Sequence, residues 1–326
     1  MGSHEILNHL ISGSWISGED IASQLGISRA AVWKQIRDLR ASGYEIDSST
    51  KKGYRLIRSP DLLDPKWILG HLRTNVIGKD LRFFSEVRST NDIAKSIASG
   101  CGDGTVILAE TQSAGRGRLS RFWASPHGGV WMSLVLKPKI DLTKIYSINM
   151  AVSVAISRAL LKSYRLNTGI KWPNDMLINE KKVCGILTEI SAEIDKLDYA
   201  VVGLGLNANV NASLFPGEWN ATSLSFELGH DVSRNKLIQQ LINEIDFVYT
   251  RMRPKDLYKE WCQKSSTLGK YVRVYSSMGE LEGKAIELSE DGGLCVRTGE
   301  GTIRVLAGDC IHLRTLSDVG SEGVMA

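Results

Sequence analysis

The apolar residues of this chain change their period along its length, and that limits the fold more than any single motif does. Up to about Arg58 they recur at helical intervals: Ile6, Leu7, Leu10 and Ile11, then Ile21, Ala22 and Leu25, then Ala31, Val32, Ile36 and Leu39. Ser17 to Asp20 and Ser28 stand where helix caps belong, and Gly26 supplies a tight turn between the second and third segments. YEIDSSTKKGYRLI then alternates as two strands about a polar turn at Gly53, which predicts a helix-turn-helix followed by a β-wing. From about 65 to 265 strands alternate with helices, as in a mixed sheet with helices on one face. Beyond Leu268 the period falls to two (KYVRVYSS, ELEGKAIEL, LCVRT, GTIRVLAGDCIHLR), predicting a small barrel of five or six strands. The expected fold class is multidomain α+β. A winged helix-turn-helix spans 1–58 and Ser59-Pro60-Asp61 opens a linker over 59–64. A mixed-sheet α/β domain follows over 65–266, then a small β-barrel over 267–316 and a frayed tail over 317–326.

A length of 326 residues has room for two or three such domains, and a formal charge of +4 allows a nucleic-acid partner without requiring one. Five scattered cysteines, an odd number with no CxxC pair, argue against a disulfide framework or a zinc site and fit a reducing cytoplasm. No run approaches the roughly 18 apolar residues that cross a bilayer, and the start lacks a secretory h-region, so no membrane partner is expected. The sequons at Asn211 and Asn220 carry no meaning in a protein of that compartment.

The expected recognition helix carries Arg29, Lys34, Arg37 and Arg40 against Asp38, and the wing adds Lys51, Lys52 and Arg55. Such cations displace counterions from phosphates, while Ser28, Arg29 and Lys34 lie where base edges come within reach. The competing reading is a protein-interaction domain with a solvated basic face. Helix, turn and basic wing together favour DNA.

TVILAETQSAGRGRLSRFW runs from a β-branched strand straight into a glycine–arginine loop. Gly115 and Gly117 let backbone N–H groups approach a ligand, and Arg116, Arg118 and Arg121 offer fork-shaped cations for phosphate or carboxylate oxygens. Trp123 offers a flat apolar wall, so an anionic and partly apolar ligand is expected. In IKWPNDMLINEKKVCGILTE, the Pro173-Asn174-Asp175 turn predicts a hairpin, and Lys181 or Lys182 could project from a strand edge toward a phosphoryl group. The simpler reading is that both lysines guard an exposed strand end. Gly203-Leu204-Gly205-Leu206-Asn207-Ala208 fits a relaxed dinucleotide fingerprint, but an asparagine-rich stretch broken by Pro216 follows instead of a helix. Those glycines instead suggest a strand lying against a ligand, with Asn207 offering its amide. GxxxxGK[ST] does not occur, which excludes a Walker-type site.

RSTN at 88–91, QSAGRGR at 112–118 with Trp123, KWPND at 171–175, KKVCGIL at 181–187 and GLGLN at 203–207 occur together in the order seen in biotin–protein ligases. With the winged helix and the barrel, the chain resembles the bifunctional ligase–repressors of that family up to Leu316. The resemblance implies a biotin/lipoate-ligase-like catalytic domain and an SH3-like barrel. It implies that biotin and Mg·ATP form biotinyl-5′-adenylate, and that a lysine of a biotin carboxyl carrier domain then takes the biotin. It further implies repression at operator DNA by a homodimer. Carried across, Ser89, Thr90, Asn91 and Gln112 face biotin, with Gly185, Leu187 and Gly203 lining its pocket. The loop from Gly115 through Arg116 and Gly117 to Arg118 closes over the adenylate. Arg121, Trp123, Asn174 and Asn207 serve the nucleotide. Lys182 rather than Lys181 falls at the family's lysine position and serves the α-phosphate, so the catalytic set is Lys182, Arg116 and Arg118. The family pattern GRGRxGR departs here, with Ser120 in place of its last glycine; a positive φ there costs on the order of 1 kcal/mol and loosens retention of the adenylate. No acidic cluster announces a protein cage for Mg²⁺, which is expected to travel on ATP. Three alternatives remain at this stage: a biotin-sensing repressor without useful ligation, a lipoate-type ligase of the related fold, and a ligase whose winged helix has no operator.

Overall fold

In the computed structural model, residues 3–41, 44–58, 61–193, 196–211, 215–277 and 279–313 are described. The expected tail, residues 42–43 and residues 59–60 of the expected linker lie outside that set. The chain divides into two compact units, Met1–Leu62 and Leu63–Ala326.

In the first unit α1 (Ser3–Leu10), α2 (Gly18–Leu25) and α3 (Arg29–Ala41) precede the antiparallel wing of β1 (Glu45–Ser49) and β2 (Gly53–Arg58). Ser17 caps α2 by accepting from the Asp20 amide at 3.0 Å, and Gly26 ends it at φ 64, a value an L side chain adopts with strain. Ile6, Leu10, Ile21, Val32, Ile36, Leu39 and Ile46 meet in one core, which is the helical period seen in three dimensions.

In the second unit Leu63 is buried and Asp64 caps α4 (Pro65–His71). Its strands are β3 (Leu81–Val87), β4 (Thr105–Gln112), β5 (Val130–Leu136), β6 (Gly169–Lys171), β7 (Asp175–Ile178), β8 (Lys181–Glu193) and β9 (Lys196–Leu206). They form one sheet in the order β3-β4-β5-β9-β8-β7-β6, with β3 and β4 parallel and the other neighbours antiparallel. Helices α5 (Thr90–Ile97), α6 (Tyr146–Tyr164), α7 (Leu224–Leu228), α8 (Arg234–Arg251) and α9 (Pro254–Gln263) accompany it.

Helices do not keep to one face, and this corrects the sequence expectation. Val106, Leu108, Met132, Leu134, Val202 and Leu204 share a core with residues of α6 and α8. The alternate residues Ile107, Val135 and Val201 pack instead against Ala94 of α5 and Ala98 just after it. Being only eight residues long, α5 leaves the rest of that second face to the cleft described below.

Strands β10 (Tyr271–Ser276), β11 (Gly279–Leu288), β12 (Leu294–Thr298), β13 (Gly301–Val305) and β14 (Asp309–His312) make a five-stranded antiparallel sheet in the order β13-β12-β11-β10-β14. Val272, Val274, Ala285, Leu294 and Val296 belong to the same apolar core as the larger sheet. Buried Trp172 ties the two together, its amide donating to Thr267 Oγ1 and its indole N–H to the Gly292 carbonyl, both at 2.9 Å.

Candidate active site and nucleic-acid surface

The cleft of the second unit lies over bare backbone. Gly185 of β8 stands opposite Gly205 of β9, and Leu187 opposite Gly203. A methyl group on Gly205 would run into the indole nitrogen of Trp123, and one on Gly185 would come 3.2 Å from the same ring. The indole thus spans this glycine pair. A methyl on Gly203 would strike the Asn91 amide, so this glycine makes room for a side chain of the protein itself. Gly115 likewise fits against Trp123 O and Ser125 Oγ of its own loop and, unlike the rest of the loop, does not reach the cleft wall.

At the α5 end, a buried polar cluster is wired together. Gln112 Oε1 accepts from the Thr90 amide at 2.8 Å and from its hydroxyl at 3.0 Å, while Gln112 Nε2 donates to Ser125 Oγ at 2.8 Å. Asn91 accepts from Ser133 Oγ at 2.6 Å and donates to Glu189 at 2.8 Å; Lys95 closes the chain on Glu189 at 2.8 Å. Ser89 precedes α5 with its hydroxyl making no cap bond to the helix. Ser133, Ser125 and Glu189 were not singled out from the sequence; each lies alone in its strand or loop, with no local signal.

Every loop cation expected to meet an anion already meets a carboxylate. Arg116 forks onto Asp92 in the first turn of α5, which holds the Asp92 carboxyl below its ordinary range, chiefly through that hydrogen bond. Arg118 donates to the Gly308 carbonyl at 2.9 Å and lies 3.8 Å from Asp309, and Arg121 pairs with the same Asp309. Lys182 meets Asp175 at 2.7 Å with its ammonium 5.0 Å from the centre of the Trp123 ring. Lys181 instead lies over Phe226 at 5.5 Å. Leu119 and Ser120 both have positive φ, 51 and 57, so the strained backbone foreseen at Ser120 is present and extends to its neighbour.

Asn207 is buried; its Nδ2 donates to the Thr222 carbonyl at 3.0 Å, while its Oδ1 has no hydrogen-bond partner, nor does the indole nitrogen of Trp123. Asn174 donates to the Ile186 carbonyl at 2.7 Å, which braces the hairpin turn against β8. Ser89, Thr90, Asn91, Gln112, Arg116, Gly117, Arg118, Arg121, Trp123, Asn174, Lys182, Gly185, Leu187, Gly203 and Asn207 all line one cleft of about 1670 Å³. Among the described residues no group of three or more His, Cys, Asp or Glu is gathered as for a metal, and no helix is long and apolar enough to cross a membrane.

On the first unit, Lys34 and Arg37 face solvent from α3, Arg37 5.3 Å above the exposed Trp33 ring. Arg29 lies 3.7 Å from Glu19, and Lys51 and Lys52 are exposed on the wing. Two of its polar side chains are engaged by the unit's own backbone. Ser28 Oγ accepts from the Ala31 amide at 3.2 Å, so it caps the helix, and Arg40 is spent on the Ile46 carbonyl at 2.6 Å, holding the wing.

Residues 83–207 match the biotin/lipoate A/B protein ligase family, residues 3–55 an HTH domain, and residues 267–313 the biotin protein ligase C-terminal domain. The bifunctional ligase/repressor of Bacillus subtilis (strain 168) is 38% identical over 304 residues, covering 90% of this chain and 93% of that protein. That of Escherichia coli (strain K12) is 28% identical over 94% of this chain and 95% of its own length. The biotin protein ligase from Aquifex aeolicus, solved in complex with biotin and ATP, superposes with a TM-score of 0.63 at 30% identity, over 73% of this chain and 100% of that one. A match that reaches all three parts of the chain makes it a member of the bifunctional ligase/repressor family of biotin protein ligases.

Proposed function

We propose that the cleft divides its ligands between its two ends: biotin at the α5 end against Ser89, Thr90, Asn91 and Gln112, and the nucleotide over Trp123 and Asn207. The chain is a biotin ligase with a DNA-binding repressor module. The observation that carries the reading is the gathering of Arg116, Arg118, Arg121 and Lys182 around a glycine-floored cleft. The carboxylate of biotin attacks the α-phosphate of ATP, and the lysine amine of a carboxyl carrier domain then attacks the mixed anhydride. Neither step requires a covalent bond to the protein, so positioning and charge do the work.

Phosphate and carboxylate oxygens take the places now held by Asp92, Asp175 and Asp309 on the four cations. Asn207 Oδ1, buried and without a partner, accepts from the exocyclic amine of adenine. With no acidic cluster among the described residues to hold it, Mg²⁺ would come as part of the ATP substrate and would supply neutralisation of phosphate charge. Loop closure shields the adenylate from water and favours a homodimer on the operator, through the differential affinity of adenylate for the closed state. The setting is the cytoplasm, where five unpaired cysteines stay reduced.

Purified chain with ATP, Mg²⁺, biotin and a carrier domain should transfer labelled biotin to the carrier. Lys182→Ala should abolish most of that transfer, and Arg118→Gly should release activated biotin onto bystander lysines. Absence of transfer by the unaltered chain would sink the site reading.

A further inference from the structure

The hairpin that carries Asp175 also carries a cation without a counter-ion. Lys171, the last residue of β6, lies opposite Asp175, Asp175 opposite Gly185, and Gly185 opposite Gly205. Directly opposed residues of antiparallel strands project from the same face, so these four form a row across the cleft face at about 4.8 Å per strand. Asp175 is taken by Lys182. Lys171 is half-buried, lines the cleft, and has no ion-pair or hydrogen-bond partner for its ammonium among the described residues.

Lys270, the residue before β10, brings more positive charge to the same cleft. Burial first, then Lys171 and Lys270, lowers His312 to about 4, so its imidazole is neutral at pH 7. Lys270 pairs with Glu180, a carboxylate 62% exposed and therefore easily exchanged for another anion.

Adenylation fixes where such charge is needed. A biotin carboxylate oxygen bonds to the α-phosphorus as the bond from that phosphorus to the bridging oxygen breaks, and the electron pair leaves on pyrophosphate. Entering and leaving oxygens lie roughly in line. Biotin sits over β4, β5 and β9 beside α5, and Lys182 holds the α-phosphate from β8. The leaving group therefore departs toward β7 and β6, the end of the sheet where Lys171 stands.

We propose that Lys171, with Lys270 beside it, binds the β- and γ-phosphates of ATP and the departing pyrophosphate. The assignment rests on the α-phosphate lying at Lys182. Full-length Lys171→Ala, Lys171→Arg and Lys182→Ala are compared in three assays: adenylate formation from ATP, inhibition by added pyrophosphate, and transfer from pre-formed biotinyl-5′-adenylate to a carrier domain. Lys171→Ala should lower kcat/KM for ATP by roughly 10- to 100-fold, weaken pyrophosphate inhibition by a similar factor, and leave transfer from the adenylate unchanged. Lys171→Arg should recover most of the ATP rate. Wild-type ATP kinetics and inhibition in Lys171→Ala overturn the proposal, as does an equal loss in transfer, which marks a merely structural lysine. Lys182→Ala tests the underlying site separately. It should impair both half-reactions, and if it impairs neither, the α-phosphate is misplaced whatever Lys171→Ala does.

Discussion

Arg116 grips Asp92 with both terminal nitrogens of its guanidinium, joining the glycine–arginine loop to the first turn of α5 across 24 residues of sequence. The contact ties the loop to the helix that carries Thr90 and Asn91. Because both side chains are about one-third exposed (33% and 39%), the pair adds only on the order of 0.5 kcal/mol to stability.

Its pH dependence has a definite sign. The Asp92 carboxyl is lowered in the folded chain, chiefly by Arg116, so the pair's contribution is complete above the unfolded value of about 4 and is lost as pH falls through the folded value. Asp92→Asn should therefore show a lower urea midpoint at pH 7, with the gap to wild type narrowing on acidification below about pH 4. A gap that stays constant with pH would show the stabilisation to be uncharged.

Ser120 holds φ 57 beside Leu119 at φ 51. Ser120→Gly removes strain of about 1 kcal/mol, partly offset by about 0.5 kcal/mol of added chain entropy in the unfolded state. The net effect should be a closed loop that persists longer, with biotinyl-5′-adenylate leaving a few-fold more slowly in a chase with unlabelled biotin and ATP. Equal or faster release would mean that the strained backbone does not limit closure.

Two glycines two residues apart should respond differently to the same methyl group. At Gly205 the methyl displaces the Trp123 indole, so Gly205→Ala should raise KM for ATP with little change in melting temperature. At Gly203 it strikes the Asn91 amide and breaks the bond to Ser133, so Gly203→Ala should cost about 1–3 kcal/mol in denaturant and weaken biotin binding together. Calorimetry for stability beside ATP kinetics separates the two, and identical behaviour would refute the assignment of different neighbours.

The two kinds of cation on the first unit are also separable. Lys34→Ala should flatten the plot of log affinity for DNA against log salt by about one unit, since an exposed lysine releases one counterion. Arg40→Ala should leave that slope alone and instead lower the stability of the winged unit by about 1 kcal/mol, because its guanidinium holds the Ile46 carbonyl. A slope change in Arg40→Ala would return that residue to the DNA surface.

Much of the architecture could be read from local pattern. The helices around Ile21 and Val32, the glycine turn at Gly26, the wing about Gly53 and the short strands after Leu268 follow from period, caps and turn residues, all of which act within a few positions of the chain. The cations Arg116, Arg118, Arg121 and Lys182 were legible for the same reason, as charges crowded beside glycines or at a strand start. The cap at Ser28 was legible in the same way, whereas the bond of Arg40 to the Ile46 carbonyl was not, because a long basic side chain on a helix has both backbone and outside ligands within reach.

By itself, then, the sequence determined which elements form and which residues bring charge. Tertiary structure alone decided what those charges meet. Asp92 lies 24 residues from Arg116 and Gly308 lies 190 from Arg118. The row from Lys171 to Gly205 exists only because four strands align in one register. Periodicity records which face a residue takes on its own element. Register and the meeting of distant carboxylates with arginines arise from packing the whole core at once, and no window of sequence contains that information.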